Sequence, residues 1–214
     1  YLVFGLLGLA SVWRSGSTPI RLYATVYGLA AVAAVLLAWH YTSAYGVPYA
    51  GGGSDELFFE ANGRAFAAHY GVFDYGMIKG NIVDEWESTT GYIYLMGLLA
   101  TFSEWFGGFH TMVPRLFNAM CLSLVAVISY QIGMRLQLQK RTAIAAALFA
   151  GGFPFLMWVS VQSLRDIVQA LLLLLLVYLW LPDRSQRWRY PVPVLLLLTA
   201  LLIIPVWEMR KASS

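Results

Sequence analysis

Asp55 and Glu56 stand side by side in "GGGSDELFFEANGRAFAAHYG", 51–71, within an otherwise oily chain. Neighbouring carboxylates can take a proton from a hydroxyl as general base, or hold a cation that neutralises phosphate. Two further places carry polar groups that could act with them. In "SVQSLRD", 160–166, Arg165 and Asp166 sit where one apolar run ends and the next begins. Charges at membrane depth are costly, so they are paired or functional, and a guanidinium can grip a phosphate through two parallel hydrogen bonds. Arg115 in "VPRLFNAM" and Lys79 in "YGMIKGN" are the remaining candidates for holding an anion. Each residue also has a plainer reading. Asp55 can be a helix N-cap, Arg165 and Asp166 a local pair at a helix end, Arg115 a snorkelling side chain, and Lys79 simply solvated. If a divalent cation takes part, Asp55, Glu56 and Asp166 are its available ligands. His40, His69 and His110 are isolated and show no zinc-type spacing. No phosphate-binding glycine loop, dinucleotide fingerprint or nucleophile elbow is present.

The elements that must carry these groups are apolar helices. The chain is 59% hydrophobic and only 12% charged, where a soluble domain carries about 25% charged residues. Apolar runs at 22–41, 116–132, 143–161 and 167–181 approach the ~20 residues needed to cross ~30 Å of hydrocarbon. Runs such as "ALLLLLLVYLWL" do not alternate as barrel strands do. The expected fold is therefore all-α and polytopic, integral to a membrane. The single cysteine, Cys121, lies in an apolar run and reads as a small core residue. The net charge of +3 is no nucleic-acid signature, because the basic residues cluster at helix ends. Residues 1–13 read as the end of a truncated transmembrane helix, and 14–214 as one membrane module that continues past its last residue.

Charge placement predicts the topology. Arg14 and Arg21 precede the first complete span, so that side is cytoplasmic. The polar segment 43–88 holds seven of the eleven acids, with only Arg64 and Lys79 as bases, and falls outside. The clusters Arg135–Lys140–Arg141 and Arg184–Arg187–Arg189 belong inside. Both do so only if 91–110 lies in the outer interface or re-enters instead of crossing, and its apolar core is short for a span. Tyr92, Tyr94, Trp105 and Phe106 also suit the headgroup level. Within the external loop 43–114, the spacing predicts a helix from Glu56 to Gly71 lying on the bilayer surface. Its apolar stripe is Leu57, Phe58, Ala61, Ala65, Phe66 and Ala68, opposite Glu60, Asn62 and Arg64.

The order of these passages resembles the membrane-embedded GT-C glycosyltransferases. "SDELFFEANGRAFAAHYG" is followed by "GYIYLMGLLATFSEWFG", then "VPRLFNAMCLSLVAVISYQIGMRL", then "FPFLMWVSVQSLRDIVQALLLLLLVYLW". The likeness is to the bacterial group similar to protein mannosyltransferases and aminoarabinose transferases, and covers most of 22–181. It implies amphipathic juxtamembrane helices in the first external loop, and a polyprenyl-phosphate-linked sugar as donor. It implies an acceptor that is a glycan, lipid or protein, and inverting transfer on the non-cytoplasmic face of a bacterial cytoplasmic membrane. It also implies roles. Asp55 matches the base, with Glu56 beside it, and Asp166 matches the second external acid. Arg165 and Arg115 match the basic residues near the donor phosphate, which Lys79 would also serve. An ion-coupled carrier, or a non-catalytic membrane subunit of a glycan-assembly complex, is the rival reading of the same charges.

Overall fold

The computed structural model describes residues 2–52, 55–69, 90–182 and 190–209, and every element of regular structure among them is helical. In chain order these are α1 (Leu2–Val12), α2 (Ser17–Tyr45), α3 (Asp55–His69), α4 (Thr90–Glu104) and α5 (Met112–Arg135). Then come α6 (Lys140–Gly152), α7 (Pro154–Ser160), α8 (Asp166–Trp180) and α9 (Val192–Met209). Lys79 and the basic cluster at 184–189 lie outside the described residues.

By length and composition α2, α5 and α9 can each cross a membrane, with α6 and α7 together a fourth candidate bent by 49°. The bend has a local cause. Pro154 opens α7, and the ring of a proline forces the residue before it out of helical geometry. Phe153 is accordingly extended, at φ −61° and ψ 122°. The uninterrupted run expected over 143–161 is thus two helices. Helix α8 also falls short of expectation. Its 15 residues span about 22 Å at 1.5 Å per residue, less than the hydrocarbon thickness.

Helix α5 is the centre of the molecule. Most of its length is buried, including Leu116, Ala119, Cys121, Leu122 and Ala126. Outer helices instead expose apolar stripes, Leu29, Val32, Leu36 and Trp39 on α2 and Leu197, Leu201, Ile204 and Trp207 on α9. Buried on one side and apolar on the other, these helices have the composition of lipid-facing elements.

Helices α2 and α5 run antiparallel, which defines two ends. At one, Ser15 just before α2 accepts a hydrogen bond from Gln131 near the end of α5. Arg14, Arg21, Arg135, Lys140 and Arg141 gather there. Arg135 lies over the Tyr178 ring at 3.7 Å and donates to the backbone oxygens of Tyr178 and Leu181, satisfying the last carbonyls of α8. At the other end α2 stops at Gly46, which takes left-handed geometry (φ 76°) and donates to the Thr42 carbonyl. Thr111 at the start of α5 and Tyr49 just beyond α2 meet there. Asp55, Glu56, Glu60 and Asp166 all belong to this second end.

Helices α3 and α4 form a close parallel pair across that end. Phe59 packs edge-on to Tyr92 at 4.9 Å and Phe66 against Tyr94 at 5.5 Å. Glycines allow the approach: a β-carbon on Gly63 would stand 2.5 Å from Met96 Cβ, and one on Gly97 1.9 Å from the Phe66 ring. Helix α4 does not run from end to end. Gly91 at its front abuts the backbone of Glu208 in α9, while Phe102 at its rear shares Phe4 of α1 with Phe117 of α5.

The stripe expected on α3 is corrected. Its inward face is Glu56, Phe59, Glu60, Gly63 and Phe66, whereas Leu57, Ala61 and Ala68 are exposed. The physical reason is that hydroxyls and a guanidinium from other segments wait on the inner side, so two glutamates can be buried there at tolerable cost.

Candidate functional site

The site is a polar knot built where four segments meet. Glu56 and Glu60 lie one turn apart on α3 and so stack on a single face. Both side chains are removed from solvent, at 0% and 1% exposure. One oxygen of Glu56 receives Nη2 of Arg115 at 3.1 Å and the Ser163 amide at 2.9 Å. The other receives the Ala50 amide at 3.1 Å. Arg115 itself is wholly buried, and Nη2 also donates to the Pro48 carbonyl. Its Nε and Nη1 have no hydrogen-bond partner among the described residues.

Glu60 is held by three hydroxyls. Tyr49 and Thr111 donate to one oxygen at 3.0 and 3.1 Å, and Ser163 donates to the other at 2.7 Å. Arg64, one turn further along α3, reaches the first oxygen at 3.8 Å and lies over the Phe109 ring. Burial pushes the Glu60 carboxyl above the usual carboxylate range, while the hydrogen bonds from Ser163, Thr111 and Tyr49 and the Arg115 charge pull it down.

The turn between α7 and α8 completes the knot. Asn118 of α5 donates through Nδ2 to the carbonyls of Gln162 and Leu164 at 2.7 and 2.8 Å. On its other side Ser163 binds both glutamates of α3, through its amide and its hydroxyl. The turn is thereby fixed between α5 and α3, with Gln162 also reaching Tyr41 of α2 at 3.5 Å.

These contacts sort the residues expected from sequence. Asp55 opens α3 and is exposed; Asp166 opens α8 and is exposed; Arg165 just before it is half-buried. The first turn of α3 and the 160–165 turn are tied through Glu56 and Ser163, so the backbones carrying Asp55 and Asp166 belong to one end of the molecule. The acids were expected to share one pocket. Asp166 instead borders an apolar cavity of about 240 Å³ formed with Phe155, Leu156, Val159 and Ile167, and Asp55 is not part of its wall.

Glu56 and Arg115 take different parts from those expected of them. A general base needs a lone pair that substrate can reach, and both Glu56 oxygens are occupied by buried protein donors. Arg115, expected at a substrate phosphate, is enclosed and neutralised by Glu56. Nor do Asp55, Glu56 and Asp166 assemble a metal centre: no group of three or more His, Cys, Asp or Glu converges among the described residues. Glu60 and Ser163 were missed. Glu60 sits at i+4 from Glu56, a spacing that would have placed both on one face, but Ser163 carries no local signal.

An all-helical architecture among the described residues, with three helices long and apolar enough to cross a membrane and a carboxylate-rich knot at one end, is the class these features define. Comparison of the chain with known protein families, characterised proteins and solved structures finds no match.

Proposed function

We infer that the chain is the core of a membrane glycosyltransferase of GT-C type, which moves a sugar from a polyprenyl-phosphate donor to an acceptor on the non-cytoplasmic face. The observation that supports this reading is an exposed carboxylate at the start of α3, and an exposed carboxylate with a neighbouring arginine at the start of α8, at the same end of the described helices. The buried Glu56–Ser163 contact links the two segments.

In the proposed step Asp55 removes the proton from an acceptor hydroxyl. The acceptor oxygen forms a bond to the anomeric carbon of the sugar from one side, while the bond from that carbon to the phosphate oxygen breaks on the other. The electron pair leaves on the polyprenyl phosphate, and the configuration inverts. The leaving group is already a phosphate, so the protein's contribution is charge complementarity; Arg165 is the described cation for it, with Lys79 as a second. Asp166 then orients the acceptor or donor hydroxyls. The apolar cavity beside Asp166 has the character a prenyl chain requires, next to a headgroup-level charge.

The deciding experiment is Asp55→Asn in membranes supplied with a radiolabelled polyprenyl-phosphate sugar. The reading requires transfer by the wild type, and a loss of about 10²-fold or more in the variant with folding intact. Undiminished transfer in Asp55→Asn would remove Asp55 as base. Charge-coupled transport in place of transfer would leave the carrier reading.

A further inference from the structure

Glu60 and Ser163 belong to no step of the reaction above, yet hydrogen bonds from several segments converge on them. Helix α3 rests on α4 mainly through apolar and glycine contacts, Phe59 on Tyr92 and Gly63 on Met96. Such packing seats α3 on α4 but does not tie it to the α7–α8 turn. Hydrogen bonds are directional, and those joining α3 to the α7–α8 turn converge on Ser163. Its amide binds Glu56 at 2.9 Å and its hydroxyl binds Glu60 at 2.7 Å, so one residue reads two successive turns of α3. The opposite face of the turn is held by Asn118 of the central helix. Tyr49 and Thr111 fix the far oxygen of Glu60, so the carboxylate cannot rotate away to follow a displaced turn.

We propose that Ser163 and Glu60 form a clasp that sets the distance and orientation of Arg165 and Asp166 relative to Asp55, and that both are positioning residues for the donor phosphate. The proposal rests on the glycosyltransferase reading for its consequence but not for its geometry. Ser163→Ala removes the hydroxyl arm and leaves the amide contact with Glu56 intact. Freed from Glu60, the turn carrying Arg165 gains latitude about Asn118. Misplacement by about 1 Å of a group that orients substrate can cost up to ~10²-fold. The loss falls on the donor, whose phosphate Arg165 meets.

Two measurements on the full-length protein in lipid nanodiscs test this. The first is the distance between spin labels at Ala61→Cys and Trp158→Cys, both exposed and outside the knot. One narrow distribution is expected in the parent, a broadened or shifted one in Ser163→Ala, and recovery in Ser163→Thr, which restores a hydroxyl. The second is steady-state kinetics, where Ser163→Ala is expected to raise the donor KM about tenfold with the acceptor KM unchanged, and Ser163→Thr to rescue it. An unchanged distance distribution in Ser163→Ala overturns the clasp whatever the activity. A changed distribution with an unaltered donor KM overturns the positioning role. A parent that transfers no sugar removes the glycosyltransferase reading and the positioning role with it, while the spin-label distances still report on the tether.

Discussion

Glu56 and Arg115 each find in the other the counter-charge that makes burial tolerable. Removing one partner leaves a charge with no water to solvate it, which typically costs about 3–5 kcal/mol, whereas replacing both with apolar residues of like volume is often nearly neutral. Glu56→Ala should therefore lower the unfolding midpoint far more than Glu56→Met combined with Arg115→Met, as thermal unfolding in detergent or nanodiscs would show. Equal losses in the two variants would mean that the pair is not the source of the stability. Glu60 makes a prediction of opposite kind. Its carboxyl is raised by burial above the value it has in the unfolded chain. The folded state then binds that proton more tightly than the unfolded state does. The Glu60 contribution to stability is thus greatest at low pH and declines as pH climbs from the unfolded value through the raised folded one. Glu60→Gln, which cannot titrate, should flatten the slope of melting temperature against pH in that window. A slope identical to the parent's would show that the Glu60 proton is not coupled to folding.

Helices α3 and α4 owe their closeness to two glycines. A methyl on Gly63 would meet Met96 Cβ at 2.5 Å and the Met96 backbone carbon at 3.0 Å. Since backbone cannot swing aside as a side-chain tip can, α3 and α4 must separate. Gly63→Ala should cost about 1–3 kcal/mol, the usual range for overpacking, and should loosen the Phe59–Tyr92 contact. Gly28 makes an internal control. It lies in mid-helix on α2 with nothing within 4 Å of an added β-carbon, so Gly28→Ala should be neutral or slightly stabilising. Comparable losses at both positions would argue against close packing as the cause at Gly63, because alanine raises helix propensity at either site. The break at Phe153–Pro154 belongs to the same level of organisation, because a single proline converts one apolar run into two helices meeting at 49°.

At the scale of the whole molecule, the charges of the described bundle ends differ in kind. Arg14, Arg21, Arg135, Lys140 and Arg141 stand at one end of the bundle, while the carboxylates of α3 and Asp166 stand at the other with Arg64, Arg115 and Arg165 among them. In a membrane the basic end is expected on the cytoplasmic side. A thiol at Ala61→Cys on α3 should react with a membrane-impermeant maleimide added outside intact cells. One at Arg141→Cys, exposed at the start of α6, should react only after permeabilisation. Labelling of both from the same side would contradict the antiparallel arrangement of the two ends across a bilayer.

Much of this was legible in the residue order. A helix is recorded in composition and in a period of a few residues, so the apolar runs at 22–41 and 116–132 became α2 and α5, with ends displaced by a few residues. The helix beginning at the Asp55–Glu56 pair is there for the same reason: glycines before it, an acidic first turn, and a run of good helix formers. What could not be read was the assignment of the carboxylates. A glutamate is exposed and reactive or buried and structural according to whether donors from elsewhere reach it. Tyr49 and Ala50 stand only 11 and 6 positions away, but the other donors to Glu60 and Glu56 come from residues 51, 59, 103 and 107 positions away. Period and spacing carry no information over such separations, because they are closed only when helices pack side by side. Hence Asp55 and Glu56, neighbours of nearly identical chemistry, ended in different surroundings, one exposed and one buried against Arg115.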